Sequence, residues 1–198
     1  MDEHDDLVVA LSPFVDLLDR LGVVWYVGGS VASTVHGQFR ATNDIDVVVE
    51  LRAEHAHEIQ SALGADHYVD EESIVDACRR RSSFNLVHFG TGLKIDVFVV
   101  PDSEYAAVAR ERRVRAPVGD ERSARPIWIA SAEDTVLAKL DWFRRGGEVS
   151  ERQWRDVQGV LRLSSDALDL AYLHRWALVL GVADLLTRAL AETDDPSG

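Results

Sequence analysis

The sequence predicts an α+β fold. Residues 1–130 read as a small mixed or antiparallel sheet flanked by helices, residues 131–193 as a helical part, and 194–198 as a tail. Three observations point there. Up to Ile129, short apolar runs of strand length alternate with segments of helical spacing. Two of those runs are joined by Gly90-Thr91-Gly92, a hairpin signal. Beyond Ser131 the strand-like runs stop and only helical segments follow.

The elements follow in order. Leu7, Leu11, Phe14, Leu18 and Leu21 share a helical face, and Gly22 is the stop. Val23–Val27, apolar and aromatic, is a strand. Gly28-Gly29-Ser30 opens a helix over Val31–His36, which ends at Gly37. Ile45–Leu51 is the second strand, and Ala53–Leu63 and Glu71–Arg81 are helices. Phe84–Phe89 and Leu93–Val100 form the hairpin, closed by Pro101. Tyr105–Arg113 is a helix and Ile127–Ile129 a closing strand. Ser131 then caps a helix, with Asp134 where a capping box usually has Glu or Gln. Four helices are expected, Ala132–Arg144, Glu151–Leu163, Asp166–Leu180 and Val182–Ala191, with Gly146-Gly147 and Ser164-Ser165 as separators.

Composition narrows the function. The 198 residues carry a formal net charge of −13, the reverse of what an extended nucleic-acid footprint needs. No apolar run approaches the roughly 20 residues that span a bilayer. The acidic start, MDEHDD, leads into no signal-type core, and Cys78 is the one cysteine, so no internal disulfide forms. The expectation is a soluble protein of the cytoplasm.

The chemistry concentrates in carboxylates. Side chains alternate along a strand, so Asp44 and Asp46 point one way while Ile45, Val47, Val49 and Leu51 point into a core. The later strand repeats this, with Asp96 opposite Ile95, Val97 and Val99. A lone D-x-D is commonly a turn or a solvated pair. Adjacent strands would instead gather three carboxylates on one face, a costly grouping unless a cation neutralises it. Oxygen ligands suit a hard divalent ion such as Mg²⁺. Gly28, Gly29 and Ser30, between a strand and a helix, fit either a capped tight turn or a phosphate cradle. The segment lacks the G-K-[ST] ending of a Walker loop and is not G-x-G-x-x-G.

The fuller pattern, Gly28-Gly29-Ser30-x6-Gly37-x2-Arg40-x-Thr42-x-Asp44-Ile45-Asp46 with a third aspartate at Asp96, resembles the DNA polymerase β-like nucleotidyltransferase superfamily. It looks like the minimal nucleotidyltransferases related to abortive-infection toxins. Glu133-Asp134, Lys139-Leu140 and Arg155-Asp156-Val157 resemble that group's helical part, so the likeness runs from about Trp25 to Leu161.

The resemblance implies transfer of a nucleoside monophosphate from a triphosphate to an acceptor hydroxyl, with Mg²⁺ or Mn²⁺ as cofactor. Gly29 and Ser30 would hold the β- and γ-phosphates, with Gly28 shaping the turn. Asp44 and Asp46 would hold the metal that carries the triphosphate, and Asp96 would complete a second metal site. Arg40, Thr42 and Lys139 would reach phosphates, with Asp156 orienting Lys139 or Arg40; the plainer readings are a surface arginine, a snorkelling lysine and an exposed helix charge. The acceptor could be an RNA end such as tRNA, a partner protein or a small molecule, in a toxin–antitoxin or phage-defence setting. A catalytically silent nucleotide- or partner-binding module of the same fold is the alternative. A nucleotide-sugar glycosyltransferase is a third reading, opposed by the short chain and by Ser30 lying 14 residues ahead of Asp44.

Other residues read as structural. His36 reads as packed or capping, and Trp142, Trp154 and Trp176 as core of the helical part. Arg79-Arg80-Arg81 and the Arg110–Arg115 cluster read as solvated faces rather than an acceptor contact.

Overall fold

A computed structural model describes residues 3–36, 44–119 and 124–194. The chain divides into two compact units. The first holds the whole sheet. The second combines the helix at Gly29–His36 with the chain from Ala130 onward.

In the first unit, helix α1 (Glu3–Arg20) leads into β1 (Trp25–Val27). After β2 (Asp44–Val49) come α3 (Ala56–Leu63), β3 (His67–Tyr68) and α4 (Glu71–Arg80), α2 being the Gly29–His36 helix of the other unit. The hairpin β4 (Ser83–His88) and β5 (Lys94–Val99) follows, then α5 (Glu104–Glu111), β6 (Val114–Val118) and β7 (Arg125–Ile129). The seven strands form one mixed sheet in the order β3-β4-β5-β2-β1-β7-β6. The pairs β2–β5 and β1–β7 are parallel and the rest antiparallel.

Alternation sets which face is core. Ile45, Val47 and Val49 of β2 and Ile95 and Val97 of β5 are fully buried, while Asp44, Asp46, Lys94 and Asp96 occupy the other face. Truncating such a buried aliphatic to Ala costs about 2–5 kcal/mol, so the register of β2 on β5 is strongly specified. Polar ties pin α1 to the sheet unit: the buried His67 Nε2 lies 2.9 Å from the Ala10 carbonyl, and Arg125 donates to Asp16. The β4–β5 turn needs Gly92, whose φ of 72° is left-handed, and Thr91 Oγ1 lies 2.9 Å from His88 Nδ1.

The second unit packs α2 against α6 (Ala132–Arg145) and α7 (Glu151–Leu163), with α8 (Leu170–Leu180) and α9 (Ala183–Asp194) completing it. Ser131 does cap α6, accepting from the Asp134 amide at 3.1 Å. The Asp134 carboxylate accepts from the Ser131 hydroxyl at 2.8 Å and from the Tyr172 hydroxyl at 2.6 Å, locking α8 to the start of α6. Trp154 and Trp176 are buried as expected, but Trp142 is 49% exposed and packs under the Arg145 guanidinium instead.

Two strands and two helix ends differ from the sequence reading. The two-residue β3 is too short to show any period. The edge strand β6, VRAPV, carries a charge and a proline that mask it. Helix α8 begins at Leu170 rather than near Asp166. Residues Ser165–Ala167 form a 3₁₀ turn, and the Asp169 side chain accepts from the Tyr172 amide as the true cap. Helix α9 runs through Asp194, which the sequence reading placed in the tail.

Candidate functional site

The carboxylates come together through strand register. Parallel pairing sets Asp46 directly beside Asp96 and Asp44 directly beside Lys94. The adjacency that the sequence argument required is therefore present, and Asp44, Asp46 and Asp96 share one face of two neighbouring strands. Exposure falls along the row: the Asp44 side chain is 56% exposed and that of Asp96 24%. On β4 the same face carries Asn85, which pairs with Asp96, and Val87, which pairs with Lys94.

Sequence reasoning passed over one charged residue here. The Lys94 ammonium is 2.8 Å from Asp96 Oδ2 and 3.8 Å from Asp44 Oδ1. Its pKa is raised, chiefly by the hydrogen bond to Asp96 and further by the charges of Asp96, Asp44 and Asp46, against a smaller opposing effect of burial. The signal was available in K-I-D: two residues apart on a strand means one face, so Lys94 accompanies Asp96 as surely as Asp44 accompanies Asp46.

The donor set consists of carboxylate oxygens, which by chemistry fits a hard divalent cation. Lys94 offsets part of their charge, through its contacts with Asp96 and Asp44. Among the described residues, no group of three or more His, Cys, Asp or Glu side chains is gathered closely enough to hold a metal ion.

The glycine turn lies at the end of β1. The Gly28 amide donates to the Asp46 carbonyl at 2.9 Å, tying the turn's first residue to the backbone of the strand that carries the carboxylates. Gly29 follows with a φ of 54°, and a Cβ at that angle would be strained. It opens α2, and Ser30 stands in that helix's first turn. Such a turn directs backbone N–H groups along the helix axis, as anion sites do.

With the geometry in hand, solved structures give the fold its relatives. No family model matches the chain, nor does any curated protein sequence. The antibiotic-resistance factor ANT(2″)-Ia, in its solution structure, superposes with a TM-score of 0.54 at 16% identity, covering 94% of this chain and 95% of that one. A crystal structure of ANT(2″)-Ia in complex with adenylyl-2″-tobramycin gives 0.57 at 16%, covering 88% and 96%. An antigenic nucleotidyltransferase-like protein from Paracoccidioides brasiliensis gives 0.55 at 16%, covering 90% and 92%. The fold is that of the nucleotidyltransferases.

Within the nucleotidyltransferase fold, the secondary candidates sort differently. Arg40 and Thr42 lie outside the described residues. Lys139, on α6, is buried and bonded to Asp156 of α7 at 2.8 Å, so Asp156 orients Lys139 as the sequence suggested. His36 is the packed histidine expected, with Nε2 at 2.7 Å from the Ala130 carbonyl. Arg110 pairs with Glu50 and Glu111, and Arg80 with Asp76. Arg113 and Arg115 stack on the Trp128 ring at 4.5 and 4.8 Å. No helix among the described residues is long and apolar enough to cross a membrane.

Proposed function

We propose that the protein is a divalent-metal-dependent nucleotidyltransferase that moves a nucleoside monophosphate from a triphosphate to an acceptor hydroxyl. One observation carries the reading: in a chain with the nucleotidyltransferase fold, the in-register pair Asp46–Asp96, with Asp44 on the same face, concentrates carboxylates that the core does not require. A bound Mg²⁺ or Mn²⁺ would neutralise polyphosphate charge and acidify the acceptor hydroxyl. Asp44 and Asp46 would hold it for the triphosphate, and Asp96 would extend the set toward the acceptor. Gly29 and Ser30 bind the β- and γ-phosphates through N–H groups and the serine hydroxyl, on the turn that Gly28 shapes. The acceptor oxygen bonds to the α-phosphorus as the bond to the α–β bridging oxygen breaks. Pyrophosphate leaves, and the hydroxyl proton departs on the Asp96 side.

Arg40 and Thr42 are assigned to the phosphates on sequence resemblance. Lys139 is assigned to positioning, since Asp156 holds its ammonium. The acceptor is a hydroxyl of an RNA end such as tRNA, a partner protein or a small molecule. The toxin–antitoxin or phage-defence setting and a cytoplasmic location rest on the resemblance and composition described above.

The test is pyrophosphate release from nucleoside triphosphates with Mg²⁺ or Mn²⁺, in the wild type and in Asp46→Asn. Release that requires metal and disappears in the variant supports the proposal. A second reading, a silent binding module, draws on Lys94 already occupying the Asp96 carboxylate. Metal-independent triphosphate binding without release on any acceptor would favour it.

A further inference from the structure

The Lys94 contact has a consequence for how the site fills, one that rests on the nucleotidyltransferase reading. A lysine two residues ahead of the third aspartate is not needed to build β5: its position on the strand is only half-buried and faces away from the core. Its register partner is Asp44, its nearest carboxylate is Asp96, and Asp46 lies beside Asp96. Three carboxylates and one ammonium give the cluster a formal charge of −2. With the lysine side chain replaced by an apolar one, the same cluster carries −3.

We propose that Lys94 is a resident counter-ion which makes divalent-cation binding at Asp44, Asp46 and Asp96 conditional on a polyphosphate. A cation arriving alone must take Asp96 from an ammonium bonded at 2.8 Å, and then sits against that like charge, which also lies 3.8 Å from Asp44. A cation arriving with a triphosphate brings anionic oxygens that accept the displaced ammonium. The lysine stem is long and flexible and its side chain 40% exposed, so the ammonium can relocate without backbone movement. Lys94 therefore opposes free metal and favours the metal–nucleotide complex. A residue that merely supported the strand would move both affinities the same way.

The test compares the wild type, Lys94→Met, Lys94→Arg and Asp46→Asn by Mn²⁺ titration with electron paramagnetic resonance. Each is titrated without nucleotide and then with an ATP analogue bridged by methylene between the α- and β-phosphorus. Lys94→Met is expected to bind Mn²⁺ alone about tenfold more tightly than wild type, and the Mn²⁺–analogue complex several-fold more weakly. Lys94→Arg, which keeps the charge, is expected to track wild type in both titrations. A thermal melt of Lys94→Met verifies that it is folded.

Mn²⁺ affinity unchanged in Lys94→Met, with Asp46→Asn still abolishing binding, overturns the counter-ion proposal and leaves the carboxylate site standing. Both affinities weakening together overturns it in favour of a structural lysine. Mn²⁺ binding that is equal in Asp46→Asn and wild type overturns the carboxylate site and this proposal with it.

Discussion

A site that crowds carboxylates trades stability for function, and Asp46→Asn measures that trade. Asp46 and Asp96 sit in register on neighbouring parallel strands. Strands lie about 4.8 Å apart, where two unit charges repel by about 0.9 kcal/mol in bulk water and about 3.5 kcal/mol at an effective dielectric of 20. The lower end applies, because the Lys94 ammonium bonded to Asp96 at 2.8 Å offsets much of its charge. Asp46→Asn removes that repulsion together with the longer-range attraction of Asp46 to Lys94. Asp96→Asn removes the same repulsion but also breaks the Lys94 ion pair, a contact worth about 0.2–1 kcal/mol. Metal-free Asp46→Asn should therefore melt above Asp96→Asn, by up to about 4 °C for a chain of this size. The assay is thermal unfolding by circular dichroism in chelator-treated buffer at low salt. Equal Tm values for the two variants, or a lower Tm for Asp46→Asn, would refute the electrostatic reasoning.

Two further outcomes follow from the helical unit and the sheet edge. Lys139→Met should destabilise by up to about 3–5 kcal/mol in denaturant titration, because it removes the ammonium from a pair whose side chains are only 9% and 15% exposed. Adding Asp156→Leu should recover part of that loss. For pH, burial first and then the charge of the neighbouring His67 hold the His88 pKa below its ordinary 6.5, against weaker pulls from Asp66 and Asp6. Below pH 6.5 the unfolded chain protonates first, so the His88 contribution is complete above that value and lost as the pH falls through the folded one. Asp16, lowered by its hydrogen bond from Arg125, gives up stability only below about pH 4. Melting midpoints between pH 6.5 and 5 should thus drop in wild type and stay flatter in His88→Gln.

Much of this architecture was legible because its signals are strong and local. In the β2 and β5 segments the aspartates fall at alternate positions among apolar residues, so their buried and polar faces could be assigned before any pairing was known. Ser131 and the Gly90-Thr91-Gly92 turn carry side-chain and backbone chemistry with few alternatives. What escaped has physical causes. Strand β3 is held by pairing to β4 rather than by any pattern of its own, and β6 is an edge strand that tolerates Pro117. The sequence reading began α8 at Asp166, whereas Asp169 caps it, and the Tyr172 contact to Asp134 accompanies that cap. Trp142 was counted as core by residue type, whereas its side of α6 faces solvent. At the site, three aspartates were visible as an alternation, but the pairing of Lys94 with Asp96 depends on a rotamer and a strand neighbour that sequence spacing alone does not fix.

The central claim is that the β2–β5 carboxylates hold a metal–triphosphate complex. The most direct measurement is thermal stability with Mg²⁺ and each of the four ribonucleoside triphosphates, in the wild type and Asp46→Asn. At ligand near a hundred times its Kd, linkage predicts a gain of about 2.7 kcal/mol, confined to the wild type with metal present, and the ranking of the four names the preferred base. The absence of any shift in the wild type, or an equal shift in Asp46→Asn, would contradict the account.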